Sequence, residues 1–153
     1  MEKHYSEHKV KLHWQKETES FAYKDYNREH DLIFSDKTIV RASSAPQFMG
    51  DPDAVDPEQS YVSAIASCHL LFFIAFCSKK RLSLLDYKDS AIGILEPSEQ
   101  GALWISKVIL TPQVTFAAGE KPENEELERL HAMAHKNCFL ANSVKTEVVI
   151  EVS

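Results

Sequence analysis

Positive charge is in short supply: 17 Lys and Arg face 23 Asp and Glu, a formal net charge of −6. Binding to nucleic acid or to an anionic membrane surface needs a basic footprint, so neither is expected of this chain. Glycine (4) and proline (6) are too sparse for a low-complexity or linker-dominated protein. Cysteine is scarce and odd in number. Three thiols leave at least one unpaired within a monomer, which argues against the disulfide framework of a small secreted domain. The stretch Met1 to Val10 alternates charged and polar residues and holds no apolar segment of the kind a secretory leader carries. The expected location is cytoplasmic.

What is present suits one ordinary globular unit. The chain has 153 residues, 44% of them hydrophobic and 26% charged, without internal repeat or linker, and reads as a single domain, 1–153. Tyr61 to Cys77 contains no Asp, Glu, Lys or Arg. It sits at the short limit for a membrane span, carries Ser63, Ser67, Cys68 and His69, and has no second span to accompany it. A helix apolar on nearly all sides belongs at the centre of a protein. One subunit of this size gives too little cover for such a helix, so the stretch points to an oligomer.

The element pattern is α+β. Val10, Leu12 and Trp14 alternate with Lys11 and His13 as in a strand, and Phe21, Tyr23 and Asp31 to Val40 suggest further short strands. Ala42 to Asp56 is loop-like. Asp56, Pro57 and Gln59 then make a helix start with a capping box, and Pro57 to about Lys80 reads as one long helix. Ala91 to Glu96 and Leu103 to Phe116 read as strands. Pro122 or Glu123 to about Asn137 reads as a second helix with Leu127, Leu130, Ala134 and Cys138 on one stripe. Thr146 to Val152 alternates cleanly as a last strand.

Cys68 and Cys77 are nine residues apart on the long helix, on opposite faces and about 13 Å apart along its axis, too far for a disulfide. Cys77, between Phe76 and Ser78, reads as a small buried hydrophobe. That leaves Cys68 and Cys138 as the candidate redox pair. A reactive thiolate needs a cationic neighbour, and no Lys or Arg lies within a helical turn of Cys68, so any cation must come from elsewhere in the fold.

Five short segments, taken together and in order, carry a family resemblance. They are Tyr26-Asn27-Arg28-Glu29-His30, Ser43-Ser44-Ala45-Pro46-Gln47-Phe48-Met49-Gly50, Asp56-Pro57-Glu58-Gln59, Ala64-Ile65-Ala66-Ser67-Cys68-His69 and Ala134-His135-Lys136-Asn137-Cys138. The chain resembles the OsmC/Ohr family (osmotically inducible protein C-like and organic hydroperoxide resistance proteins) over nearly its whole length. His69 after Cys68 is closer to the OsmC-like branch. Asp56 stands where the Ohr branch typically has Asn, and Phe139 where the family often has Pro.

The resemblance implies a fold of antiparallel sheets wrapped around a long central helix, with a second helix, in an intertwined homodimer. It also implies a cysteine-based peroxidase acting on organic hydroperoxides or related peroxides. Cys68 matches the peroxidatic cysteine, Cys138 the resolving cysteine, Arg28 the catalytic arginine and Glu58 the acid that positions it. A guanidinium would lower the thiol pKa and stabilise the departing alkoxide, and a carboxylate in a fork-like pair would hold it. The Cys68 sulfenic acid would condense with Cys138 to a disulfide. No cofactor is implied. An external dithiol, such as a dihydrolipoyl group or a lipoylated protein, would recycle the enzyme.

Glu58 lies about 15 Å before Cys68 along a straight helix, so sites at the subunit interface that mix residues of two chains are expected. Leu70, Leu71, Phe72 and Phe73 read as packing between subunits rather than as a substrate pocket.

Two other readings remain. His131, His135 and Cys138 share one helix face and are chemically good zinc ligands, though no Cys-x-x-Cys or His-Glu-x-x-His motif supports them. On the simpler view the two histidines occupy a partly exposed face; His4 and His8 have the same spacing. The other alternative is a non-catalytic dimer of the same fold that senses thiol redox state or binds a ligand.

Overall fold

A computed structural model describes residues 5–153. His4 of the His4/His8 pair lies outside them; His8 is exposed and its ring meets the Ser6 hydroxyl at 2.8 Å. The chain divides into two compact units, residues 1–60 and 61–153.

In the first unit, β1 (Lys11–His13), β2 (His30–Ser35) and β3 (Thr38–Ala42) form an antiparallel sheet in that order. Leu12 pairs with Leu32 and Leu32 with Val40, so the strands expected at Val10–Trp14 and within Asp31–Val40 are in register with their apolar residues opposite one another. Phe21 and Tyr23 are not in strands: residues 22–26 turn, with Asp25 and Tyr26 amides bonding the Ala22 carbonyl, and the two rings join a surface aromatic cluster with Trp14 and Tyr26. After β3 the loop through Ser43 closes tightly on itself. A Cβ at Gly50 would stand 1.5 Å from the Ser44 carbonyl oxygen, so no side chain fits there.

The long helix α1 (Pro57–Lys79) begins with the capping box: the Gln59 amide donates to Asp56 Oδ1 at 2.7 Å and the Asp56 amide to Gln59 Oε1 at 3.0 Å. Its C-terminus closes through Arg81 in the left-handed region (φ 59°), with the Leu82 amide on the Cys77 carbonyl. Although apolar all round, α1 buries one narrow stripe within the chain, Val62, Ile65, His69, Phe73 and Cys77. By length and composition it could cross a membrane, as the core helix of a soluble protein also could.

In the second unit, β4 (Leu84–Lys88) pairs with β7 (Gln113–Phe116). β5 (Ile92–Pro97), β6 (Leu103–Leu110) and β8 (Glu147–Ile150) form a second sheet with β6 central. The expected single strand from Leu103 to Phe116 is thus two strands in different sheets. Pro112, which lacks an amide proton, sits at the break. β4 has no counterpart in the sequence reading. β8 runs parallel to β6, not antiparallel as expected, because the chain between them contains β7 and the second helix α2 (Asn124–Asn137), a crossover long enough to reverse direction.

Two cores result. Phe73 and Cys77 of α1 pack with Leu127, Leu130 and Ala134 of α2 and with Phe116. Val62 and Ile65 pack with Val108 and Leu110 of β6. At Gly93 the sheet comes so close to α1 that a Cβ would meet Val62 Cγ2 at 2.5 Å.

Candidate functional site

Within residues 61–153 the fold brings Cys68 and Cys138 together. Cys68 sits half-buried on α1, and Cys138 caps the C-terminus of α2 and is 1% exposed. The two thiols are neighbours, close enough for Cys68 to act on the Cys138 pKa. The α2 stripe explains the placement: Leu127, Leu130 and Ala134 are fully buried, and the same stripe continues to Cys138. The chain then tightens into a 3-10 turn over Ala141–Ser143, and the Ala141 amide donates to Cys138 Sγ at 3.4 Å. Burial pushes the Cys138 thiol pKa up, and the neighbouring Cys68 thiol adds to it; the Ala141 and Leu140 amides pull the other way. Around the pair, Phe72, one turn beyond Cys68, meets Phe139 edge-on at 5.1 Å, and Leu71 and Phe139 are exposed.

Cys77 lies in the core, and burial raises its thiol pKa to about 11. A thiol so seldom ionised is a poor nucleophile.

The sequence reading missed a second link between α1 and α2. His69 Nε2 and His131 Nδ1 are 3.0 Å apart, both rings are buried, and they lie within 5° of coplanar. His131 also stacks on Phe73, one turn beyond His69, at 4.1 Å between centroids. Burial lowers both imidazole pKa values to about 4; His131 and His135 nearby add to the effect at His69. His131 is therefore not on a partly exposed face, as its spacing with His135 suggested. Only His135 is half-buried. Among the described residues no three His, Cys, Asp or Glu side chains gather to hold a metal ion. The zinc set His131, His135 and Cys138 is therefore not gathered: Cys138 lies at the far end of α2 beside Cys68.

Arg28 and Glu58 belong to residues 1–60. The Arg28 guanidinium donates to the carbonyls of Tyr26 (3.0 Å) and Tyr23 (2.6 Å) and lies over the Tyr26 ring at 4.1 Å. Trp14, Phe48 and Pro57 join it in lining a cleft of about 400 Å³. Backbone carbonyls and an aromatic face, rather than the expected carboxylate fork, hold the guanidinium: no ion pair joins Arg28 to Glu58 among the described residues. Glu58 is half-buried, and its Oε2 is buried without a hydrogen-bond partner. Such an atom is costly to leave so, by about 1–3 kcal/mol.

Residues 50–153 match the family model for OsmC-like protein. The chain belongs to the OsmC-like family. Among solved structures it is similar to an OsmC-like protein of unknown function from Vibrio cholerae, with 38% identity and a TM-score of 0.93, covering 97% of this chain and 100% of that one. An organic hydroperoxide resistance protein from Elizabethkingia anophelis shares the fold at 15% identity and a TM-score of 0.71, covering 100% and 99% of the two chains. One from Bacillus subtilis does so at 15% identity and 0.67, covering 95% and 98%. None of the curated proteins compared matches the chain.

Proposed function

We propose that this OsmC-like chain is a cysteine-based peroxidase that reduces organic hydroperoxides. The observation that carries the reading is the proximity of Cys68 to Cys138: a partly accessible thiol on one helix beside a buried thiol capping another. The Cys68 thiolate attacks one peroxide oxygen, the O–O bond breaks, and the alkoxide leaves and takes a proton to become an alcohol. Cys138 then attacks the Cys68 sulfenic acid, releasing water and forming the disulfide. The Ala141 amide at Cys138 Sγ would stabilise charge on that sulfur when an external dithiol reopens the bond. Arg28 supplies the guanidinium for the developing alkoxide, and Glu58 is the carboxylate that completes its setting.

The chain works as a cytoplasmic homodimer in this proposal. Three observations support a second copy: the apolar helix α1 leaves Leu71 and Ile74 exposed, its own chain covers one stripe of it, and Glu58 Oε2 is buried but unpartnered. No cofactor is required, because the thiols carry the electrons and a dihydrolipoyl group or other dithiol restores them.

Peroxide consumption with cumene hydroperoxide and dihydrolipoamide tests the reading. Turnover that disappears in Cys68→Ser supports it. A wild-type protein that is oxidised once but never turns over would instead make the chain a thiol sensor.

A further inference from the structure

The buried imidazole pair lies beside the thiol pair on the same two helices. Cys68 and His69 are consecutive on α1, while His131 and Cys138 are seven residues apart on α2, about 10 Å along its axis. The two helices thus meet at two points, thiol beside thiol and imidazole hydrogen-bonded to imidazole. His131 is held between His69 and Phe73, which share one face of α1, so α2 can neither slide nor turn without losing the hydrogen bond or the ring stack. The outer nitrogens of the pair, His69 Nδ1 and His131 Nε2, are buried and have no partner. An apolar pair of similar size would fill this space without leaving two polar atoms unsatisfied. What the imidazoles offer over such a pair is direction, since a hydrogen bond fixes distance and angle where packing alone does not.

We infer that the His69–His131 hydrogen bond is a positioning device that holds Cys138 against Cys68, raises the effective concentration of one thiol at the other, and so favours disulfide closure. The inference rests on the redox reading of Cys68 and Cys138. In the step concerned, Cys138 sulfur bonds to Cys68 sulfur and the S–O bond of the sulfenic acid breaks. The hydroxyl leaves as water with the Cys138 proton; Cys138 is oxidised and Cys68 reduced by the same electron pair. A docked partner thiol gains effective concentration in proportion to how tightly it is held.

The test compares two amides at position 69. In His69→Gln the side-chain amide reaches the place of Nε2; in His69→Asn it falls one bond short. Both are polar and both fit the space. Two readouts are taken: the equilibrium of the Cys68–Cys138 disulfide against dithiothreitol, and the fraction of Cys68 trapped by dimedone after one equivalent of cumene hydroperoxide. His69→Gln is expected within threefold of wild type in both. His69→Asn is expected to lower the effective thiol concentration at least tenfold and to leave a dimedone adduct that wild type lacks. Equal values for the two variants overturn the inference, as does a His69→Asn protein that closes like wild type. The dithiothreitol equilibrium needs no peroxide, so loss of the peroxidase reading alone would leave its outcome unchanged.

Discussion

The thiol pair and the arginine cradle are built in different ways. Cys68 and Cys138 meet because two helices share a core: Leu127, Leu130 and Ala134 seat α2, and the imidazole pair ties it to α1. Arg28 owes nothing to a core. Two backbone carbonyls and a tyrosine face hold it on a half-exposed surface, and the carboxylate proposed to accompany it, Glu58, keeps an unpartnered oxygen. The proposed redox couple therefore lies wholly within residues 61–153, whereas the electrostatic part leaves a buried carboxylate oxygen without a partner. In the proposed homodimer a second chain meets it.

The largest effect should fall on the thiol side. Leu130→Ala removes a fully buried side chain from the α1–α2 core and is expected to cost up to about 5 kcal/mol, read by urea unfolding. The Cys68–Cys138 equilibrium with dithiothreitol should weaken with it. Arg28→Leu should do the reverse: a loss of about 10²-fold in peroxide reduction, with the dithiothreitol equilibrium unmoved. If both variants disturb both readouts alike, the two parts are not independent.

Acid should separate the regions next. His69 and His131 titrate near 4 in the folded chain against an ordinary 6.5, so the unfolded chain binds more protons between those values. Stability is full above pH 6.5 and falls as the pH drops toward 4, by up to about 3 kcal/mol for each histidine. His131→Gln should flatten that part of the profile, measured by thermal unfolding at stepped pH. Smallest is Asp56→Ala, which removes the cap of α1 and should cost about 1 kcal/mol by the same measurement.

Much of this was legible because it is local. The capping box of Asp56 and Gln59, the extent of α1 and the α2 stripe ending in Cys138 follow from spacing alone, and the structure has them. The segments around Arg28, Cys68 and Cys138 sufficed for the family. What was missed depends on distant partners. β4 exists because β7 pairs with it, and the strand ending at Leu110 stops because Pro112 cannot continue the ladder. His131 is buried by His69 and Phe73, some sixty residues away, and imidazole is polar enough that its place on a helix says little about burial. The carbonyls that hold Arg28 belong to a turn where strands were expected, so the cradle was hidden with it.

The account rests on Cys68 and Cys138 being one redox couple and Cys77 a bystander. Mass spectrometry after one equivalent of cumene hydroperoxide, followed by denaturation and alkylation, tests this most directly. The predicted product has a Cys68–Cys138 disulfide and an alkylated Cys77. A disulfide that includes Cys77, or three alkylated thiols after the peroxide is consumed, would contradict it.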